Sequence, residues 1–308
     1  MLTLFVILMA ALPFVIDLLT RVEFPPPPPG SAIVITGAST GIGRHAAEWM
    51  ANKGFVVYAG IRKDSDAESI RGVGIATLVP VKLDVTDKAS IASAVDFVSA
   101  NLQRRGIPLA GLVNNAGVGT GKSIEFADIS SWKWMFDVNV FGVARCTQAF
   151  LPLLRQGKGR IVQMSSLAGL VSNPLLGTYS SSKWALEAMS HSLRQELYPQ
   201  GISVSVINPA LVKSEIHGKS MKQTLKPEEK KLYGMFETPE LAKLIVKKAD
   251  EPVVTSEAVE HALTAHYPKT QYIVANFDGR PAWLLARLVW LLPTRVVDAF
   301  GRLAFHID

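Results

Sequence analysis

Ala32-Ile33-Val34-Ile35-Thr36-Gly37-Ala38-Ser39-Thr40-Gly41-Ile42-Gly43-Arg44 is a short apolar run rich in β-branched residues, then a glycine turn, then the start of a helical stretch that continues to Lys53. An uninterrupted apolar run of this length marks a strand buried on both faces. Glycines in the turn admit backbone angles and close approaches that a Cβ forbids, and the free N–H groups at a helix start can cradle a pyrophosphate. A glycine triplet alone also makes a plain tight turn. The strand before it and the helix after it point to nucleotide binding, with the spacing G-x-x-x-G-x-G, a variant of G-x-G-x-x-G. Thr36, Gly37, Ser39, Thr40, Gly41, Ile42 and Gly43 are the candidate cofactor residues of this turn.

Strand and helix patterns alternate outward from there. Strands are predicted at 55–59, 78–83, 111–113, 160–164 and 202–207, and helices at 89–102, 130–154 and 178–197. This order predicts one doubly wound, Rossmann-type α/β domain, a parallel sheet with helices on both faces. The second strand runs into Arg62 and Lys63, at about the point where an NAD enzyme carries an acid for the ribose 2′-hydroxyl. Two cations there suit a 2′-phosphate, so NADP(H) is preferred, with NAD(H) left open by the nearby Asp64 and by the alternative of a solvated loop.

The strand at 160–164 delivers Ser165 and Ser166 to its carboxyl end, where ligands bind in such sheets. Tyr179 follows and Lys183 stands four residues beyond it, on the same helix face. An unperturbed tyrosine titrates near ~10 and is a poor acid-base at neutral pH, whereas a neighbouring ammonium favours the phenolate. Ser166 is then placed to hold a substrate oxygen while Tyr179 passes the proton.

These features together resemble the short-chain dehydrogenase/reductase family, over residues 31 to about 280. The resemblance implies a catalytic tetrad of Asn139, Ser166, Tyr179 and Lys183, with the asparagine supporting a water-mediated relay behind the lysine and the lysine also binding the nicotinamide ribose. It implies cofactor contacts at Asp84 and Val85, at Asn115, Ala116 and Gly117 of an N-N-A-G motif, and at Pro209. The family's P-G after the sixth strand is Pro209-Ala210 here, and Ser214 replaces a usual threonine. Residues 211–237 match the family's substrate lid. Residues 259–265 and 268–272 are similar to the branch acting on retinoids and hydroxysteroids, which implies a lipophilic alcohol or carbonyl. Leu167, Val171 and Leu211, with Ser166 and Tyr179, are the candidate substrate residues, though the three apolar ones would serve equally as core. The family also implies a homo-oligomer.

Composition narrows the alternatives. The 308 residues are 48% hydrophobic, too apolar for a disordered chain, and the single Cys146 cannot form an intramolecular disulfide. No Cys/His spacing suggests a metal site. The net charge of +6 comes from scattered basic residues without aromatic interleaving, so nucleic acid is not an expected partner. Residues 2–16 are uncharged, Leu18 and Leu19 follow Asp17, and the eighteen residues 2–19 would span roughly 27 Å as a helix. Residues 1–20 are therefore expected to form a hydrophobic membrane anchor, with a cleaved signal peptide and a buried helix as rivals. Five prolines, Pro25 to Pro29, make 21–30 a linker. The domain proper is expected at 31–280, and 281–308 is an apolar helical segment for which membrane interface, core packing and dimer contact stay open. Arg21 mildly favours a body on the cytosolic side, as at the endoplasmic reticulum.

The expected activity is hydride transfer between NADP(H) and a carbonyl or hydroxyl of a retinoid- or steroid-like substrate. Reduction of a lipid precursor, such as a 3-keto sphingoid base or fatty acyl carbonyl, is the enzymatic alternative. A cofactor-binding scaffold without catalysis is the alternative of another kind.

Overall fold

The computed structural model describes residues 16, 19–214, 225–236, 248–277 and 279–304. The anchor expected at 1–20 lies almost wholly outside these residues, as does most of the predicted lid. Among the described residues no helix is long and apolar enough to cross a membrane.

The strands are β1 (Ala32–Ile35), β2 (Val56–Ile61), β3 (Leu78–Lys82), β4 (Leu109–Asn114), β5 (Arg160–Met164), β6 (Ser203–Pro209) and β7 (Gln271–Val274). They pair in the order β3-β2-β1-β4-β5-β6-β7, every pair parallel. Chain direction across the sheet reverses between β1 and β4, which opens a crevice at their carboxyl ends. Helices α1 (Gly41–Asn52), α2 (Asp64–Arg71), α3 (Lys88–Arg105), α4 (Ile129–Phe136), α5 (Val143–Gly157), α6 (Gly177–Leu197), α7 (Pro227–Tyr233) and α8 (Val253–Thr264) connect or flank the strands. A short antiparallel pair, β8 (Asn276–Phe277) and β9 (Arg280–Pro281), leads to α9 (Ala282–Leu291) and α10 (Thr294–Ala304).

Strand alternation divides the core into two layers. Ile33, Ile35, Val57 and Ala59 face one way, packing with Ala47 and Met50 of α1 and Val259 and Leu263 of α8. Ala32, Val34, Val56 and Tyr58 face the other, packing with Val98 of α3 and Phe150 and Leu154 of α5. Each fully buried Leu, Ile or Phe here contributes roughly 1.5–3 kcal/mol over leaving it exposed. Local signals set the ends: Asp87 caps α3 by accepting from Ala89 N at 2.9 Å, worth about 1 kcal/mol, and Gly106 stops it at φ 65°.

The predicted helix at 130–154 is interrupted. Residues Asp137–Gly142 between α4 and α5 wind as a π-helix, which places Asn139. The proline segment also differs from a free spacer, because it is tied to the base of the sheet. The buried Arg160 guanidinium donates to Phe24 O (2.8 Å), Pro25 O (2.9 Å), Ala262 O (3.1 Å) and Ala265 O (2.7 Å). Burial lowers its pKa to about 10, still charged at neutral pH, and four carbonyl dipoles replace a counter-ion.

Candidate active site

The site is built at the carboxyl ends of β1 to β6. Gly37 has φ 64°, and a Cβ there would lie 2.7 Å from Ala116 Cα, so this turn and the β4 loop approach as only glycine allows. Thr36 Oγ1 accepts from Asn115 N and Ala116 N, both at 3.0 Å, and Asn115 Nδ2 donates to Thr36 O and Gly37 O at 3.0 Å. Asn115 therefore fixes the glycine turn through its side chain, the work of a positioning residue. A Cβ on Gly43 would run into that amide and the Gly37 carbonyl.

Thr40 precedes α1 without a side-chain cap, and no acid occupies the first turn of the helix. This acid-free helix start, with Ser39, Thr40, Gly41 and Ile42 around it, fits the pyrophosphate of a dinucleotide. Arg62 and Lys63 lie exposed just past β2, while Asp64 is engaged by Lys82 at 3.3 Å. Asp84 turns one carboxylate oxygen onto Thr86 N (2.9 Å) and Thr86 Oγ1 (2.7 Å), with Val85 buried beside it.

Tyr179 lies in the first turn of α6 and Lys183 one turn later, its Nζ 5.8 Å from the centre of the Tyr179 ring. Burial raises the phenol above its ordinary value, and the Ser166 hydroxyl beside it works in the opposite direction. Burial likewise lowers Lys183 to about 8, against the pull of Glu187. Lys183 Nζ donates to Met164 O at 2.9 Å. The raised Tyr179 phenol favours the protonated form, which suits a proton donor.

The Asn139 side chain is clamped on three sides: Oδ1 accepts from Val118 N (2.9 Å), and Nδ2 donates to Val118 O (2.9 Å) and Ser182 Oγ (3.0 Å). It joins the β4 loop to the helix turn that carries Lys183. Gly117 lies against it, an added Cβ meeting Asn139 Oδ1 at 3.4 Å and Lys183 Nζ at 3.6 Å. Pro209 ends β6. Leu167 and Val171 pack in a small cluster with Ala210, Ala282 and Ala286, and Leu211 is buried next to it. The residues at 259–265 and 268–272 fall in α8 and around the start of β7, where His261 Nδ1 meets Tyr272 Oη at 2.8 Å. They hold helix to sheet.

Sequence reasoning missed the support behind Ser166. Asn208 Nδ2 donates to Ser166 O (3.0 Å) and to the buried Glu187 Oε1 (2.6 Å), bracing the serine from β6 and α6 together. Burial pushes the Glu187 carboxyl up, while Ser165 and Asn208 oppose the shift. The available signal was the place of Glu187 four residues after Lys183. A second missed contact seats α7 over the β4 loop: Glu229 accepts from Ser123 Oγ at 2.9 Å, and Tyr233 Oη donates to Glu125 at 2.6 Å.

A dinucleotide cradle beside a serine, a tyrosine and a lysine defines a nicotinamide-dependent oxidoreductase site. Residues 31–225 match the family model of short chain dehydrogenases, and the chain belongs to that family of oxidoreductases, which act on hydroxyl or carbonyl substrates with NAD(P). It is similar to mitochondrial D-beta-hydroxybutyrate dehydrogenase of Mus musculus, 32% identical with 87% of this chain and 83% of the relative covered. An NADPH-dependent 3-dehydrocapnine reductase of Ornithobacterium rhinotracheale is 35% identical (86% and 94% covered). Retinol dehydrogenase 5 of Mus musculus is 34% identical (87% and 86% covered).

Proposed function

We propose that the chain is an NADP(H)-preferring carbonyl reductase or alcohol dehydrogenase for a lipophilic, retinoid- or steroid-like substrate, held at a membrane by its N-terminal segment and assembled as a homo-oligomer. The observation that carries the chemistry is the Tyr179 ring beside Ser166 with Lys183 Nζ 5.8 Å from its centre. In this reading Asn139, Ser166, Tyr179 and Lys183 form the catalytic group. The bound dinucleotide supplies or accepts the hydride. Ser166 holds the substrate oxygen, Tyr179 donates its proton to that oxygen in reduction, and the Lys183 ammonium stabilises the phenolate left behind. Thr36, the glycine turn, Asp84, Val85, Ala116, Gly117 and Pro209 line the dinucleotide cleft.

Arg62 and Lys63 carry the preference for a 2′-phosphate, since no acid stands at these two positions and the adjoining Asp64 is paired with Lys82. Replacing both by Ala is expected to raise KM for NADPH by roughly 10–100-fold, the loss of one or two charge-assisted hydrogen bonds. KM for NADH should be nearly unchanged. An equal rise for both cofactors would remove these residues from cofactor choice. The substrate class rests on the apolar surroundings of Ser166, namely Leu167, Val171 and Leu211, and on the likeness to a retinol dehydrogenase. NADPH oxidation by detergent-solubilised protein with retinals, ketosteroids and long-chain ketones tests it, and turnover confined to short hydroxy or keto acids would refute it. Reduction of a lipid precursor is the second reading, favoured by the likeness to an NADPH-dependent 3-dehydrocapnine reductase. The same panel separates the two.

A further inference from the structure

We infer that α9 and α10 form a membrane-docking surface, a bilayer contact separate from the N-terminal segment, and that it lies against the wall of the substrate site. The two helices bury little of their apolar surface. In α9 only Ala282 and Ala286, four residues apart, are buried. They pack, with the half-buried Leu285, against Leu167, Leu170 and Val171. The opposite side presents Leu284, Leu288 and Leu291 at i, i+4 and i+7, with Trp283 and Trp290 beside them, all exposed and Trp290 by 80%. In α10 the same spacing recurs in Val296, Phe300 and Leu303, again exposed. Each of these two successive helices thus carries an apolar stripe that no described part of the chain covers. Among the described residues, nothing packs over these large side chains.

Charge selects the occupant. Residues 279–304 contain Arg280, Arg287, Arg295 and Arg302 against the single acid Asp298. Leucine and phenylalanine stripes, tryptophans and flanking arginines fit the boundary between acyl chains and anionic headgroups. A second copy of the chain would be a poorer fit, because a two-fold interface lays the same patch on itself and brings like charges together. Phe24 N is held by His266 O at 2.8 Å, at the amino end of β7, whereas α9 follows from its carboxyl end. The two segments therefore leave along the β7 edge at its opposite ends. A lipophilic substrate dissolved in the bilayer would reach Ser166 past Leu167 and Val171 without crossing water; this last step rests on the lipophilic-substrate reading above.

The test uses the full chain in vesicles of phosphatidylcholine and phosphatidylserine whose acyl chains are brominated. The emission of Trp283 and Trp290 is obtained as the difference between the wild type and a Trp283→Phe/Trp290→Phe variant. Docking predicts that this difference emission is blue-shifted and mostly quenched by brominated lipid, with less quenching when phosphatidylserine is omitted. Unquenched emission overturns the proposal, including when cross-linking shows a second copy on this face. A Leu288→Asp/Phe300→Asp variant, changed only at exposed positions, reads delivery separately. KM for a long-chain ketone presented in vesicles should rise severalfold, with kcat and the KM for a water-soluble ketone unchanged. Quenching with no change in that KM would remove the delivery step. If no lipophilic carbonyl is turned over at all, the substrate reading fails while the quenching result still decides docking.

Discussion

Tyr179→Phe is expected to lower kcat by roughly 10²–10⁴-fold, the usual contribution of a positioned acid-base. NADPH affinity should stay within a factor of a few. The substitution removes one oxygen and keeps the ring, so the Lys183 ammonium retains its neighbour at 5.8 Å and Met164 O retains its donor at 2.9 Å. The dinucleotide cleft is built from other elements: the glycine turn after β1, the loop after β4 and the end of β6. Because burial raises the Tyr179 phenol, the wild-type side chain is protonated at neutral pH. Carbonyl reduction, which needs that proton, should hold a plateau through neutral pH and fall in alkali, whereas alcohol oxidation, which needs the phenol deprotonated, should rise with pH. Rates from NADPH absorbance and affinity from cofactor fluorescence separate the two effects. Retained turnover would assign the proton transfer elsewhere, and lost binding with lost turnover would make Tyr179 a structural residue. A scaffold without catalysis predicts no difference between the variants.

What could be read from sequence, and what could not, follows from which side chains carry a signal. Ile33 to Ile35 stand in a fully buried strand, so an unbroken apolar run announced it, and the glycine turn had to follow because Gly37 and Gly43 leave no room for a Cβ. Tyr179 and Lys183 were legible as a pair because helical spacing alone puts them on one face. Helix α2 escaped notice since only Ile70 of its eight residues is buried, leaving no apolar period to detect. The π-helix at 137–142 was hidden inside what looked like one long helix, because a single wide turn shifts the periodicity too little. Arg160 was silent for another reason: its partners are backbone carbonyls, which any sequence supplies. The bracing of Ser166 by Asn208 and Glu187 joins β6 to α6, and such pairs appear only when the sheet order is known. For 281–308 the apolar helical character was visible, but which side faces out was not.

Lys183→Met should abolish most turnover and at the same time make the cofactor-free chain more stable at pH 7. Lys183 is only 4% exposed, and burial lowers its pKa from an ordinary 10.5 to about 8. Below pH 8 folded and unfolded chains both hold the proton, and the folded state bears the full cost of a buried ammonium, roughly 3 kcal/mol from the size of the shift. Methionine removes that cost but leaves Met164 O without its donor, a loss of about 1 kcal/mol. A net gain of about 1–2 kcal/mol follows for the variant. Between pH 8 and 10.5 the unfolded wild type binds a proton that the folded wild type has released, so wild-type stability rises with pH through this window and the advantage of the variant shrinks. Urea unfolding of both proteins at pH 7 and pH 10 reads this directly. A variant less stable at pH 7 would mean that the contact with Met164 O and the attraction of Glu187 outweigh desolvation. A variant more stable and inactive would show that the ammonium is held against the preference of the fold, which is what a catalytic charge under Tyr179 requires.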